Sequence, residues 1–176
     1  MNYIKYILTI SFFALLFTAC NEPKKKTLTI EKSRLKETLV KVNRKYIDVE
    51  NTQIDDFMHR RSWSGFEKTK SGLQYKIYQK GVGKIPVAGS IIGIEYSIID
   101  IKGKEIYNSQ KLGNKVFKVD KNEEPNGLNE AVKLMKLGAK AKVIVPSYLA
   151  YGLIGDEDKI GQKVTLIYDI YLVEVR

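Results

Sequence analysis

The spacing of apolar residues along this chain changes twice, and each change marks a different kind of element. Ile7 to Phe17 is an almost unbroken apolar run. Leu35, Leu39, Val42, Tyr46 and Val49 then recur at alternating steps of four and three, which draws one apolar stripe along a helix. Two heptads are too few to specify a coiled coil. The stripe is either the seam of a dimer or a helix face laid on the main domain, and the second is the expectation because nothing at the flanking positions specifies pairing. Asn51-Thr52 is placed to break this helix and cap a shorter one through Ile54, Phe57 and Met58.

From Trp63 onward the period falls to two. Leu73, Tyr75 and Ile77 alternate with polar residues, as do Ile94, Tyr96 and Ile98, and Val164, Leu166, Tyr168, Ile170 and Leu172. Shorter strands are expected over 115–119 and 140–145. Gly89 and Lys102-Gly103 punctuate them as turns, and Gly81-Val82-Gly83 reads as a hairpin turn. A single helix is expected over Leu128–Leu137, with Leu128, Val132 and Met135 on one face and Gly138 as its stop. The pattern predicts an α+β domain from about Leu73 to the C-terminus, an antiparallel sheet with one short helix on its concave face.

A length of 176 residues, 44% hydrophobic and 28% charged, accommodates this one domain and some extra length at the front. The front is a basic start at Lys5, the apolar run, and Leu16-Phe17-Thr18-Ala19-Cys20. A run this short does not span a bilayer as a permanent helix, which needs ~20 residues, so it predicts a secretory signal peptide cleaved before Cys20. Small Ala19 admits the peptidase and the Cys20 thiol takes the lipid. Asn21-Glu22-Pro23-Lys24-Lys25-Lys26 suits a tether between lipid and folded body. The expected division is 1–19 signal peptide, 20–27 lipidated cysteine and tether, 28–62 helical segment and 63–176 main domain. Asn21 lacks the Asp that retains some lipoproteins at the inner membrane, which points to the outer membrane, facing the periplasm.

Charge and residue supply narrow the chemistry. The net charge of +10 would suggest nucleic acid in a cytosolic protein. In an exported one it suits a solvated surface, anionic lipid or acidic partners, and no nucleic acid partner is expected. Cys20 is the only cysteine, so disulfides and cysteine metal sites are excluded. His59, the only histidine, falls at the helix end beside Arg60 and Arg61, outside the main domain, which removes histidine-assisted nucleophilic catalysis. Gly81-Val82-Gly83-Lys84 lacks the full phosphate-loop pattern. Asp156-Glu157-Asp158 lacks the ordered ligand spacing of a calcium loop and reads as an exposed acidic loop. No cofactor and no metal is expected, and any activity must come from aromatics, aliphatics and tyrosine hydroxyls.

The stretch Gly127-Leu-Asn-Glu-Ala-Val-Lys-Leu-Met-Lys-Leu-Gly138, followed by Ala139 to Val145 and Pro146-Ser-Tyr-Leu-Ala-Tyr-Gly152, resembles the FKBP family of peptidyl-prolyl cis-trans isomerases. Thr165-Leu-Ile-Tyr-Asp-Ile-Tyr-Leu172 is similar to the family's final strand, and the resemblance spans about Leu73 to Val175. With the N-terminal lipobox and Gly72-Leu-Gln-Tyr75, the chain looks like the bacterial lipoprotein branch, some members of which are associated with gliding motility. The resemblance implies a twisted antiparallel half-barrel around one short helix, and a pocket that binds proline-containing polypeptides. It implies catalytic roles for Tyr151, Tyr96 and Phe117, with Ile106, Tyr107, Leu128, Ile160 and Tyr168 contacting substrate. Tyr151 would be the hydroxyl held out for a ligand, and Tyr148 a surface residue. The implied activity is rotation of X-Pro bonds during the folding of exported proteins. A catalytically weak binding module, or an accessory of an envelope machine, is the alternative on the same scaffold.

Three positions depart from the family pattern. Tyr107 stands where Asp is usual, Glu124-Pro125 replaces an aliphatic pair and removes a backbone N–H, and the loop after Tyr151 lacks the usual prolines. Together they imply weak or absent macrolide binding and reduced or altered turnover.

Overall fold

The computed structural model describes residues 26–121 and 124–176, and side chains from residue 32 onward; the expected signal peptide, Cys20 and the tether ahead of Lys26 lie outside them. Helix α1 covers Lys26–Arg60 without a break. The expected interruption at Asn51-Thr52 is absent. Thr52 Oγ1 donates to the Asp48 carbonyl at 3.0 Å, one turn back, so the hydroxyl serves the continuing helix instead of capping a new one. What carries the helix onward is burial: Ile54 and Phe57 pack with Ile144 and Ile167, and an apolar side chain of this size contributes about 1.5–3 kcal/mol when fully buried. The stripe ahead of them, Leu35, Leu39, Val42, Tyr46 and Val49, stays exposed. Contacts divide the chain into two units, residues up to Lys45 and Tyr46–Arg176. In the second unit burial of the helix begins only at Ile54.

Seven antiparallel strands form one sheet: β1 (Glu67–Lys68), β2 (Gln74–Gln79), β3 (Ile91–Asp100), β4 (Glu105–Asn108), β5 (Lys115–Lys118), β6 (Lys140–Val145) and β7 (Leu166–Val175). Their order is β1-β2-β6-β7-β3-β4. The outer edge of β3 is shared: β5 pairs with Ile91–Ile94 and β4 with Ser97–Ile99. At the gap the Tyr96 N–H donates to Ser109 Oγ at 3.0 Å. Ser109 opens helix α2 (Ser109–Leu112), which Asn108 caps by accepting from the Gln110 N–H.

Since β2 and β3 are not neighbours, Gly81-Val82-Gly83 is not a hairpin turn. It lies in a crossover held against the segment before β6: the Gly83 N–H donates to the Leu137 carbonyl and the Leu137 N–H to the Lys84 carbonyl. A Cβ at Gly81 would sit 2.4 Å from the Leu137 oxygen, so glycine is required there by approach and not by turn type. The same contacts shorten the helix. Helix α3 covers Asn126–Lys133, and Gly138 (φ +85°) turns the chain into β6, donating to the Leu172 carbonyl.

Alternation along the strands sends side chains to two separate cores. Ile92, Ile94, Tyr96, Ile98, Val143, Val145, Leu166, Tyr168, Ile170 and Leu172 meet Leu128, Ala131, Val132 and Met135 of the α3 segment. Ile144 and Ile167 point the other way, towards Ile54, Phe57, Trp63 and Phe66. There the Trp63 ring meets Phe57 edge-on at 5.3 Å.

Candidate active site

The first of these cores brings the eight predicted residues of the site together. Tyr96, Phe117, Leu128, Ile160 and Tyr168 are buried in it, and Ile106, Tyr107 and Tyr151 pack against its edge. They come from β3, β4, β5, the start of α3, the turn after β6, a loop and β7, so the whole half-sheet is needed to assemble them. Two open clefts, of about 370 and 420 Å³, lie around Arg60, Arg61 and Lys102 and around Trp63, Phe66 and Tyr78, and contain none of the eight.

Tyr151 follows a 3₁₀ turn, Ser147–Leu149, that Pro146 starts. The Ser147 carbonyl accepts from the Ala150 and Gly152 N–H groups, and Gly152 adopts φ +59°. Ser147 is fixed in turn by Glu50, a residue that no sequence pattern singles out. Glu50 accepts from the Ser147 N–H (2.7 Å) and hydroxyl (3.0 Å), and from Thr165 Oγ1 (2.6 Å) at the entrance to β7. Burial, then the carboxylates of Glu124 and Asp156, push the Tyr151 phenol up to about 12. It therefore remains a protonated donor across the physiological range. Tyr148 is 39% exposed, as a surface residue should be, yet its hydroxyl donates to the Ser71 carbonyl at 3.1 Å above Gly72.

Tyr107 faces a carboxylate supplied from far along the chain. Its hydroxyl donates to Asp156 Oδ2 at 2.5 Å and lies 3.1 Å from Asp158. Asp156 also accepts from the N–H groups of Asp158 and Ile160. Burial alone would push the Asp156 carboxyl up, but these bonds outweigh it and hold the group below its ordinary range. The segment read as an exposed acidic loop is thus organised by Asp156, which is only partly exposed. Gly155 (φ +85°) permits the fold-back, since a Cβ there would meet the Ile160 oxygen at 2.2 Å. The result is that Ile160 is held buried beside the aromatics.

At the start of α3, Pro125 contributes no N–H and no side-chain cap. Buried Asn129 ties the entry instead: its Nδ2 donates to the carbonyls of Glu124 and Pro125, and its Oδ1 accepts from the Asp120 N–H. Glu124 Oε1 pairs with Lys115 Nζ at 2.7 Å, and the same ammonium lies 5.7 Å from the Tyr96 ring centroid. Tyr168 is fully enclosed, and burial, then Tyr151 and Glu124, raise its phenol well above the ordinary value. Among the described residues no group of His, Cys, Asp and Glu is assembled for a metal ion.

The chain is 38% identical over 111 residues to a probable FKBP-type peptidyl-prolyl cis-trans isomerase FkpA of Neisseria meningitidis, covering 63% of this chain and 40% of that protein. It is 35% identical over 117 residues to the outer membrane protein MIP of Legionella longbeachae, covering 66% of this chain and 49% of that one. The chain therefore spans less than half the length of these curated relatives. Among solved structures, FkpA from Escherichia coli superposes with a TM-score of 0.65 at 26% identity, over 100% of this chain and 83% of that one. A peptidyl-prolyl cis-trans isomerase from Pseudomonas syringae shares the fold, with a TM-score of 0.64 at 24% identity over 75% of this chain and 94% of its own. The FKBP-type peptidyl-prolyl cis-trans isomerase profile matches residues 83–173, and the chain belongs to that family.

Proposed function

We propose that this protein catalyses cis-trans isomerisation of X-Pro bonds in exported polypeptides, at the site formed by Tyr96, Phe117, Tyr151 and Tyr168. The observation that carries this reading is an enclosed aromatic cluster, Tyr96, Phe117 and Tyr168, with the Tyr151 hydroxyl set at its edge. Rotation about an X-Pro bond meets a barrier of ~18–20 kcal/mol because the planar amide is resonance-stabilised and charge-separated. Water favours that polar planar form. An apolar pocket that takes the proline ring removes the water and lowers the cost of reaching the less polar twisted state. Tyr96, Phe117 and Tyr168 are the walls for the ring, with Leu128 beneath it and Ile106 and Ile160 at its rim. Tyr151 donates to a substrate carbonyl and holds the peptide in register while the bond turns. No nucleophile, metal or cofactor takes part in this scheme.

The envelope is the proposed site of action, with Cys20 as the lipid attachment point and the outer membrane, facing the periplasm, as the anchoring membrane. The similarity to an outer membrane protein supports an envelope location. A reading in which the pocket binds proline-containing segments without turning them over is favoured by Pro125, which has no N–H to offer a ligand carbonyl. The test is an isomerisation assay on the full-length chain in mild detergent, with a peptide and a refolding protein as substrates. Tyr151→Phe is expected to lower kcat/KM about tenfold, on the order of one charge-free hydrogen bond, with an unchanged melting curve. Wild-type turnover in that variant would remove Tyr151 from the mechanism, and no turnover by folded wild type would leave the binding reading.

A further inference from the structure

Among the described residues, two buried polar atoms in and beside this cluster have no hydrogen-bond partner, and they are of opposite kinds: the acceptor Glu124 Oε2 and the donor Tyr168 OH. Buried polar groups are normally satisfied, because an unmade bond forfeits the hydration given up on burial. The Glu124 side chain is 11% exposed and Tyr168 is 2% exposed, so bulk water does little for either. Lys115 engages only Oε1 of the carboxylate. Both unpartnered groups belong to one neighbourhood, since Glu124 and Tyr168 each interact electrostatically with Tyr151. The next residue, Pro125, has no N–H. Beside the cluster, an unpartnered acceptor on Glu124 therefore precedes a residue that has no N–H to donate.

We infer that Glu124, held by Lys115, is a specificity-determining residue: its free carboxylate oxygen accepts from a donor-bearing, preferably cationic, residue adjacent to the substrate proline. Lys115 engages one oxygen, and the other is left for a donor that an entering substrate brings. A carboxylate flanking the proline would meet Oε2 without a proton to share and is disfavoured. An aliphatic flank buries the oxygen unpaired and falls between. This rests on the isomerase reading of the pocket and deepens it.

The test uses the full-length chain and two matched peptide sets, with Lys, Gln, Leu or Glu immediately before the proline in one and immediately after it in the other. At one of the two flanks kcat/KM for Lys is expected to exceed that for Glu by about tenfold, with Gln and Leu between them, on the scale of one charge-assisted bond. Glu124→Val is expected to compress that range below about twofold, whereas Tyr151→Phe lowers all peptides alike. A flat ranking in wild type, or a ranking that survives Glu124→Val, overturns the inference. If Glu124→Val does not fold by circular dichroism, the Glu124→Gln, Lys115→Met double variant takes its place, and must lose the Lys preference while keeping that for Gln. If folded wild type turns over no peptide, the isomerase reading fails separately. The same peptides, fluorescently labelled, then decide by binding: tighter binding of Lys than Glu that disappears in Glu124→Val supports the inference, and equal or absent binding overturns it.

Discussion

Replacing Glu50 tests whether the last turns of α1 hold the turn that carries Tyr151. The Glu50 carboxylate receives three donors, at 2.7, 3.0 and 2.6 Å. The two hydroxyls, on Ser147 and Thr165, can rotate to other acceptors, but the Ser147 N–H cannot. Ser147 is 8% exposed, so Glu50→Ala leaves a buried donor unmade at about 1–3 kcal/mol, and loss of the charge-assisted hydroxyl bonds adds about 1 kcal/mol. The expected cost is about 2–4 kcal/mol. For a unit of about 130 residues, at ~4 °C per kcal/mol, Tm falls by about 8–16 °C. Glu50→Gln keeps an oxygen for the Ser147 N–H and is expected to cost about half as much. Urea denaturation with an unchanged m-value measures the difference directly. A shift in Glu50→Ala below about 0.5 kcal/mol would show that the three bonds are replaced by water at no cost, and would refute the claim that Glu50 fixes this turn. A stability loss in the predicted range is expected to come with a raised KM, because the Ser147 carbonyl also accepts the Gly152 N–H beside Tyr151.

Tyr107→Phe removes the hydroxyl that joins β4 to Asp156, so a loss of about 1–2 kcal/mol and faster amide exchange across residues 153–162 are expected, read by hydrogen-exchange mass spectrometry. Alkaline titration gives a further outcome. The Tyr107, Tyr151 and Tyr168 phenols are raised above 10, Tyr151 to about 12, by burial and nearby carboxylates. Their contribution to stability is therefore fully present below pH ~10 and is lost as pH rises through the folded values, because only the unfolded chain ionises in that window. Chemical denaturation at stepped pH is expected to show stability flat from pH 7 to about 9.5 and falling above it, with the tyrosinate absorbance of these three phenols, read as the difference from their Phe variants, appearing together with unfolding.

Period-two alternation made five of the strands legible, because a strand's buried side is written in consecutive odd or even positions, whereas β1 and β4, two and four residues long, are too short to show an alternation, and the second core behind the sheet was not read. The residues proposed for the site were placed by analogy, through the motif Leu-Ala-Tyr-Gly and the strand around Tyr168. Other features depend on partners far away in sequence. Glu50 meets Ser147 and Thr165 across 97 and 115 positions, and a lone glutamate in a polar helix carries no periodic signal. Tyr107 looked like the loss of a carboxylate because its partner, Asp156, lies 49 residues later. Glycines at 81 and 83 have the same composition in a hairpin and in a crossover, and only strand order separates the two. At Asn51-Thr52 the local preference for a cap was overridden by burial of Ile54 and Phe57 one turn further on.

The second core, on the far side of the sheet, also limits how the domain can be exchanged. A chain begun at Trp63 would keep every residue of the proposed proline site and still expose Ile144 and Ile167, the outward members of its two central strands, β6 and β7. It would also lose Glu50, and with it the anchor of the Tyr151 turn. Transplanting this unit onto another protein, or swapping it between relatives, therefore has to carry the helix from Tyr46, with Ile54 and Phe57 as the lining of the joint.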